Sequence, residues 1–175
     1  MSTPSPAPTP MSKAQRGVAR GIGIGLGLTL AAAIIGWMRS YAATPDARLF
    51  TLGIAALTLG LWVAAAIGDV ARRRYASDAA IGGGNGVDGR VDAANAILRN
   101  TAEQALLALL AYTALSLVSD HARVPVALFA ACFSAGRLLF WSGYRDGAEA
   151  RALGFALTFY PSVAALLMAA LALVG

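Results

Sequence analysis

Between Leu49 and Gly68 the sequence carries no charged residue, and a second charge-free stretch extends from Ala152 to Val174. Each has roughly the 20 residues that a helix rising about 1.5 Å per residue needs to cross ~30 Å of hydrocarbon. Three more apolar segments have similar length: Gly17 to Met38, Val91 to Val118, and Pro125 to Tyr144. In the fourth, the leading proline suits a first helical turn. In lipid the backbone must satisfy its own hydrogen bonds, so such segments are helices, and the alternating pattern of a membrane barrel is missing. The expected fold class is therefore all-α, an integral membrane helical bundle.

Composition closes the other routes. The chain is 58% hydrophobic and 13% charged, against roughly a quarter charged in soluble domains. Its net charge is +5, but the basic residues gather at segment ends and form no stripe with interleaved aromatics, so no nucleic-acid partner is expected. Cys132 is the single cysteine. That excludes an intrachain disulfide, and no Cys/His spacing suggests a metal.

Residues 1–16, beginning MSTPSPAPTPMS, read as a disordered Pro/Ser-rich tail. Residues 17–42 read as an N-terminal transmembrane helix. A basic flank and the Ser40/Ala42 pair also fit a cleaved signal sequence. Within this segment GIGIGLGL sets Gly21 with Gly25, and Gly23 with Gly27, at small-xxx-small spacing suited to helix packing. Ala76 to Asp92 is Gly/Asp-rich and reads as a polar loop, while Arg145, Asp146 and Gly147 form a short turn.

If the five segments alternate in direction, one side holds Lys13, Arg16, Arg20, Arg72, Arg73, Arg74, Arg90, Arg99, Arg145 and Arg151. The other holds Arg39, Arg48 and Arg123. Ten against three places the first group in the cytoplasm and the C-terminus outside.

Ionisable groups inside spanning helices are costly and point to function. Arg99, Asn100 and Glu103 sit at spacings that share one side of the third segment. Arg137, Phe140, Trp141 and Tyr144 share a face of the fourth. Arg137 lies seven residues before Tyr144, ~10 Å below the segment end, with Glu103 at comparable depth. The two are expected to pair and to line a polar pocket open to the cytoplasmic leaflet. A structural ion pair that fixes register is the plainer alternative. His121 is expected to be solvated, and Pro161 to do no more than kink the fifth segment.

Two stretches carry a family resemblance: ILRNTAEQALL and GRLLFWSGYRDGAEARALGF. The first, an Arg-Asn pair with Glu three residues after the Asn, resembles a second-helix signature of the MAPEG family, the membrane-associated proteins of eicosanoid and glutathione metabolism. The second resembles the family's third-helix and turn signature, with Arg137, Tyr144 and an Arg seven residues beyond, Arg151. ARRRY is similar to the basic end of the family's first helix and includes Arg72. The resemblance covers about Leu49 to Val174 as a four-helix domain over residues 48–175, to which residues 17–42 are an addition.

The resemblance implies a homotrimer binding glutathione as co-substrate between neighbouring subunits, with a lipophilic second substrate arriving from the bilayer. It implies that Asn100 and Glu103 hold the peptide's polar and amino groups, Arg72 meets a carboxylate, Tyr144 lines the pocket and Arg151 is the catalytic, thiol-activating arginine. Arg99 and Arg137 complete the substrate-binding set. A free thiol has a pKa of ~8.5 and a nearby guanidinium stabilises the nucleophilic thiolate. The chain departs from the family pattern at Ala96, where many members have Arg, and at Phe140 and Gln104, where a Tyr is expected. The expected function is that of a glutathione-dependent membrane transferase or peroxidase. A non-catalytic lipid- or partner-binding member, and a small transporter subunit using Glu103 as an ion site, are the alternatives.

Overall fold

The computed structural model describes residues 11–77 and 89–174, and every regular element among them is an α-helix. These are α1 (Lys13–Met38), α2 (Pro45–Tyr75), α3 (Gly89–Val118), α4 (Arg123–Ser142) and α5 (Ala148–Val174). Each is long and apolar enough to cross a membrane. Residues 1–10 of the Pro/Ser-rich tail and 78–88 of the Gly/Asp-rich loop lie outside the described residues.

Several helices overrun the apolar segments, because polar residues cap and extend them. α1 begins one turn before Gly17: the Ser12 side chain accepts from Gln15 N while Gln15 Oε1 accepts from Ser12 N, a reciprocal capping box. α2 begins at Pro45 because Thr44 caps it, Pro45 fits the first turn and Asp46 meets the positive end of the helix dipole. At its other end Arg72, Arg73 and Arg74 meet the negative end. α3 already includes Arg90 and Asp92, so the polar loop ends sooner than its composition suggests.

The helices run alternately up and down. Gly17, Gly21 and Gly25 face Glu149, Ala152 and Ala156 in order, so α1 is parallel to α5. Gly36 meets Pro125, which sets α1 antiparallel to α4. The Arg137–Asn100 and Tyr112–Phe129 pairings set α3 antiparallel to α4. At the less basic end, Arg48 Nη1 donates to Ser116 O and Ser119 O and so closes the C-terminal end of α3. His121 is 40% exposed but does more than face solvent: its Nδ1 lies 3.1 Å from Ser40 Oγ and its ring packs on Trp37, tying the α1–α2 connection to the α3–α4 turn.

Tyr112, Leu115, Val126, Phe129 and Phe133 fill the centre, with Ala105, Ala108 and Ala111 allowing α3 to approach its neighbours. Large apolar side chains also point outward, among them Leu30, Ile34, Leu57, Leu61, Leu110 and Leu167. In water this would be an aggregation surface; against lipid it is the expected exterior, and association between helices then depends on close packing and internal hydrogen bonds.

Close packing is tightest where α4 crosses α5. A Cβ added at Gly136 would sit 2.8 Å from Gly154 O, and one added at Gly154 would strike the Phe140 backbone. Gly147, with φ of 101°, supplies the left-handed residue that turns the chain from α4 into α5. α5 continues through Pro161, flanked by Ser162 Oγ donating to Thr158 O and Thr158 Oγ1 donating to Phe155 O. This crossing brings Arg137 and Phe140 of α4, and Tyr144 just beyond its end, against the first half of α5.

Candidate functional site

Arg137 is fully buried on α4. Its Nη1 donates to Asn100 Oδ1 at 2.9 Å and to Thr101 Oγ1 at 3.4 Å, and its Nη2 donates to Thr158 Oγ1 at 2.7 Å. Both threonine hydroxyls spend their own proton on a helix carbonyl, Thr101 on Ile97 O and Thr158 on Phe155 O. Their lone pairs are thereby left to accept from the guanidinium. Thr101 Oγ1 also accepts from Trp141 Nε1 at 3.4 Å. The guanidinium carbon stands 4.6 Å from the Phe140 ring centroid and 5.6 Å from that of Phe133, a further source of attraction for a cation. Every one of these partners is neutral, so the charge is solvated by dipoles and rings rather than neutralised.

The expected Glu103–Arg137 pair does not form. Glu103 is exposed and makes no ion pair among the described residues. The reason lies in the turn of α3. Its core face is centred on Thr101, Ala105, Ala108 and Tyr112. At ~100° per residue, Asn100 falls at the edge of that face, Glu103 ~60° beyond it and Arg99 ~100° beyond it. Asn100 therefore reaches Arg137, while Arg99 and Glu103 look outward.

Asn100 in turn opens onto a pocket of about 370 Å³ at the basic end of the bundle, lined with Tyr144 and Arg151 and with Ala96, Phe140, Ala148, Ala152 and Phe155. Val18 and Ile22 of α1 complete the lining. Its size falls within the range of small-molecule sites. Arg151, one turn into α5, lies with its guanidinium carbon 4.8 Å from the Tyr144 ring centroid, and Tyr144 packs edge-on against Phe140 at 5.6 Å. Since Asn100 Oδ1 is held by Arg137, its amide nitrogen is the group left to donate into the pocket. The lining includes one cation and no carboxylate, with a second cation directly behind Asn100. Such a field favours an anion.

Of the residues singled out in the sequence, Asn100, Arg137, Tyr144 and Arg151 come together. Arg72 does not join them: it is largely exposed and pairs with Asp69 at 2.8 Å, as Arg73 does at 2.7 Å. Arg99 lines a separate polar cleft with Arg74 and Asp92. Thr101 and Thr158, which hold Arg137, were not marked by the sequence. The spacing of Thr158 and Ser162 inside a charge-free segment was the available signal. A larger groove of about 600 Å³ between Ala33, Trp37, Met168 and Leu171 has no ionisable lining and offers no chemistry.

The family model that matches this chain is that of the MAPEG family, over residues 49–171. The chain belongs to the MAPEG family. No curated protein and no solved structure matches it. The matched region takes in nearly all of α2, all of α3 and α4 and nearly all of α5, and it contains every residue that holds Arg137 as well as Tyr144 and Arg151. α1 lies outside it. MAPEG membership supports a membrane protein of glutathione and eicosanoid metabolism, in agreement with the five spanning helices.

Proposed function

We propose that this MAPEG protein is a glutathione-dependent membrane transferase or peroxidase acting on lipophilic electrophiles or hydroperoxides. The observation that carries the reading is the convergence of Asn100, Tyr144 and Arg151 on one cationic pocket braced by Arg137. Glutathione is an anion whose reactivity resides in a thiol, and the residues present fit it as substrate. Arg151 stabilises the thiolate and stays charged even when partly desolvated. Asn100 and Tyr144 offer polar contacts to the peptide. The thiolate then attacks either an electrophilic carbon, forming the S–C bond as the leaving group departs with its electron pair, or a peroxide oxygen, breaking the O–O bond so that the alcohol leaves. In the second case the sulfenic acid is reduced by a second glutathione to the disulfide. The lipophilic substrate enters from the bilayer.

The positions of Glu103, Arg99 and Arg72 support a site shared between copies. Glu103 lies on an exposed strip of α3 with Leu106, Leu110 and Leu117. A carboxylate turned toward hydrocarbon is strongly unfavourable, whereas packing against another copy in a homotrimer gives it polar company. The excess of basic residues at the pocket end supports a cytoplasmic site and an outside C-terminus.

Titrating the purified protein with glutathione and following thiolate absorbance tests this reading. The parent is expected to develop the absorbance near neutral pH at millimolar glutathione, and Arg151→Ala to lose it. Absence of both absorbance and affinity in the parent rules out the enzymatic reading. A second reading, a non-catalytic lipid-binding member, is favoured by Ala96 and Phe140, which line the pocket without a charge or hydroxyl. Binding of a lipophilic ligand with no turnover across a panel of electrophiles and hydroperoxides would select it.

A further inference from the structure

α1 is outside the region shared with the family, yet it forms part of the pocket. Only one of the two glycine stripes in GIGIGLGL is used for packing. Gly21 and Gly25 lie directly on Ala152 and Ala156, with Gly17 opposite Glu149 one turn earlier, whereas Gly23 and Gly27 meet nothing. Because the glycine stripe draws the α1 backbone so close to α5, the residues next to it, Val18 and Ile22, are carried over the edge of α5 into the pocket. They stand one turn apart on the wall that also includes Arg151 and Asn100. Both are β-branched, with essentially one χ1 rotamer available in a helix. The wall they make is therefore stiff as well as aliphatic.

We propose that Val18 and Ile22 are specificity-determining residues that limit the width of the group carried on the glutathione sulfur, favouring a straight aliphatic chain over a broad polycyclic one. The inference rests on the glutathione reading and adds the substrate class. The cationic half of this pocket, Arg151 with Asn100, takes the peptide, and the group on its sulfur is left to the apolar half. With Ala152 and Phe155, the two α1 side chains bound that half on the side where α1 lies. A slender chain fills such a slot with continuous van der Waals contact; a wide ring system collides with side chains whose χ1 is all but fixed.

The test uses non-reacting conjugates, so turnover is not needed. The full chain in detergent is titrated by calorimetry with glutathione, S-hexylglutathione and S-tritylglutathione, after intact mass confirms that residues 13–38 are retained. The same titrations are made on V18A/I22A, on Ile22→Phe, and on Ile24→Ala, whose side chain is exposed away from the pocket. The parent is expected to prefer the hexyl over the trityl conjugate by at least roughly tenfold, the discrimination that a few methyl groups of pocket shape supply. V18A/I22A is expected to erase most of that ratio, Ile22→Phe to weaken the hexyl conjugate, and Ile24→Ala to match the parent. A ratio unchanged in V18A/I22A and in Ile22→Phe overturns the inference while leaving the glutathione reading intact, and so does a chain that has lost α1. A parent that binds neither glutathione nor its conjugates overturns both, and the glutathione titration alone distinguishes that case.

Discussion

Replacing Arg137 with methionine separates the two services that this residue performs. Methionine keeps most of the length and apolar bulk in the slot between Phe133 and Phe140 but removes the charge and the bonds to Asn100, Thr101 and Thr158. For the fold the balance is close. Three hydrogen bonds to a charged group are lost, at roughly 1.5–3 kcal/mol each, while the several kcal/mol of desolvation suffered by a buried cation disappears with it. Helix content and melting temperature are therefore expected to stay near those of the parent. Ligand binding is a different matter, because nothing else replaces the charge. A peptide carboxylate touching Asn100 lies ~7 Å from the guanidinium, and at an effective dielectric constant of ~20 the attraction is about 2.4 kcal/mol. Its loss corresponds to about a 50-fold weaker affinity for glutathione. Calorimetric titration of glutathione into the parent and into Arg137→Met reads this change directly. A folded variant that binds glutathione within about twofold of the parent would refute the argument and would reduce Arg137 to a structural brace. If methionine unfolds the chain, Arg137→Lys, which keeps the charge on a single donor centre, is expected to retain most of the affinity.

Other outcomes follow from the same contacts. Arg151→Ala, which removes the cation in the pocket itself, is expected to abolish thiolate absorbance at neutral pH, while Arg151→Lys retains part of it, as the same titration would measure. Gly154→Val places branched carbons against the Phe140 backbone and Gly136 O; overpacking of this kind costs about 1–3 kcal/mol or more, and a drop of several degrees in melting temperature with loss of ligand binding is expected. Gly25→Leu should detach α1 from Ala156, whereas Gly27→Leu, which meets nothing, should not; protease cleavage between α1 and α2 at Arg39 distinguishes the two variants. Glu103→Gln should weaken glutathione binding by about tenfold if the carboxylate meets the peptide's ammonium across a trimer, and light scattering of the same preparation should give three copies per particle. A monomer that binds glutathione at full affinity would exclude the shared site.

The spans were legible because bilayer thickness leaves little freedom: a charge-free run such as Leu49 to Gly68 has one stable arrangement in lipid. Their ends were harder to read. Thr44, Pro45 and Asp46 form an ordinary helix start, but they precede the apolar run and so fell outside it. The family motifs lead to the expectation that Asn100, Glu103, Tyr144 and Arg151 share one cavity; Asn100, Tyr144 and Arg151 line one pocket, and Glu103 does not. Sequence spacing could not decide between Asn100 and Glu103 as the partner of Arg137. The two differ by only ~60° around α3, and which of them faces α4 depends on how α3 is rotated by Ala105, Ala108 and Tyr112 in the core. The same limit applied to α1. Two glycine stripes were available, and only the complementary small residues Ala152 and Ala156 on α5 determine which one packs, and hence that Val18 and Ile22 reach the pocket.

The charge arrangement of the single chain has a consequence of its own. Among the described residues Arg137 lies buried with no carboxylate partner, and Glu103, about one turn along α3 from Asn100, faces outward with no cation partner. Had α3 been rotated by ~60° the two would neutralise each other, with the strong coupling typical of a buried pair. Such a pair would stabilise the bundle and leave the pocket without its field. Keeping them apart makes the empty subunit less stable than the paired arrangement, and each unbalanced charge then favours a partner from outside the helix bundle. On the proposed reading these partners are the anionic peptide, drawn toward Asn100 and Arg137, and a neighbouring copy, drawn toward Glu103. Ligand binding and subunit association would then be linked through two positions ~60° apart on one helix, so that glutathione should strengthen the oligomer as well as occupy the site.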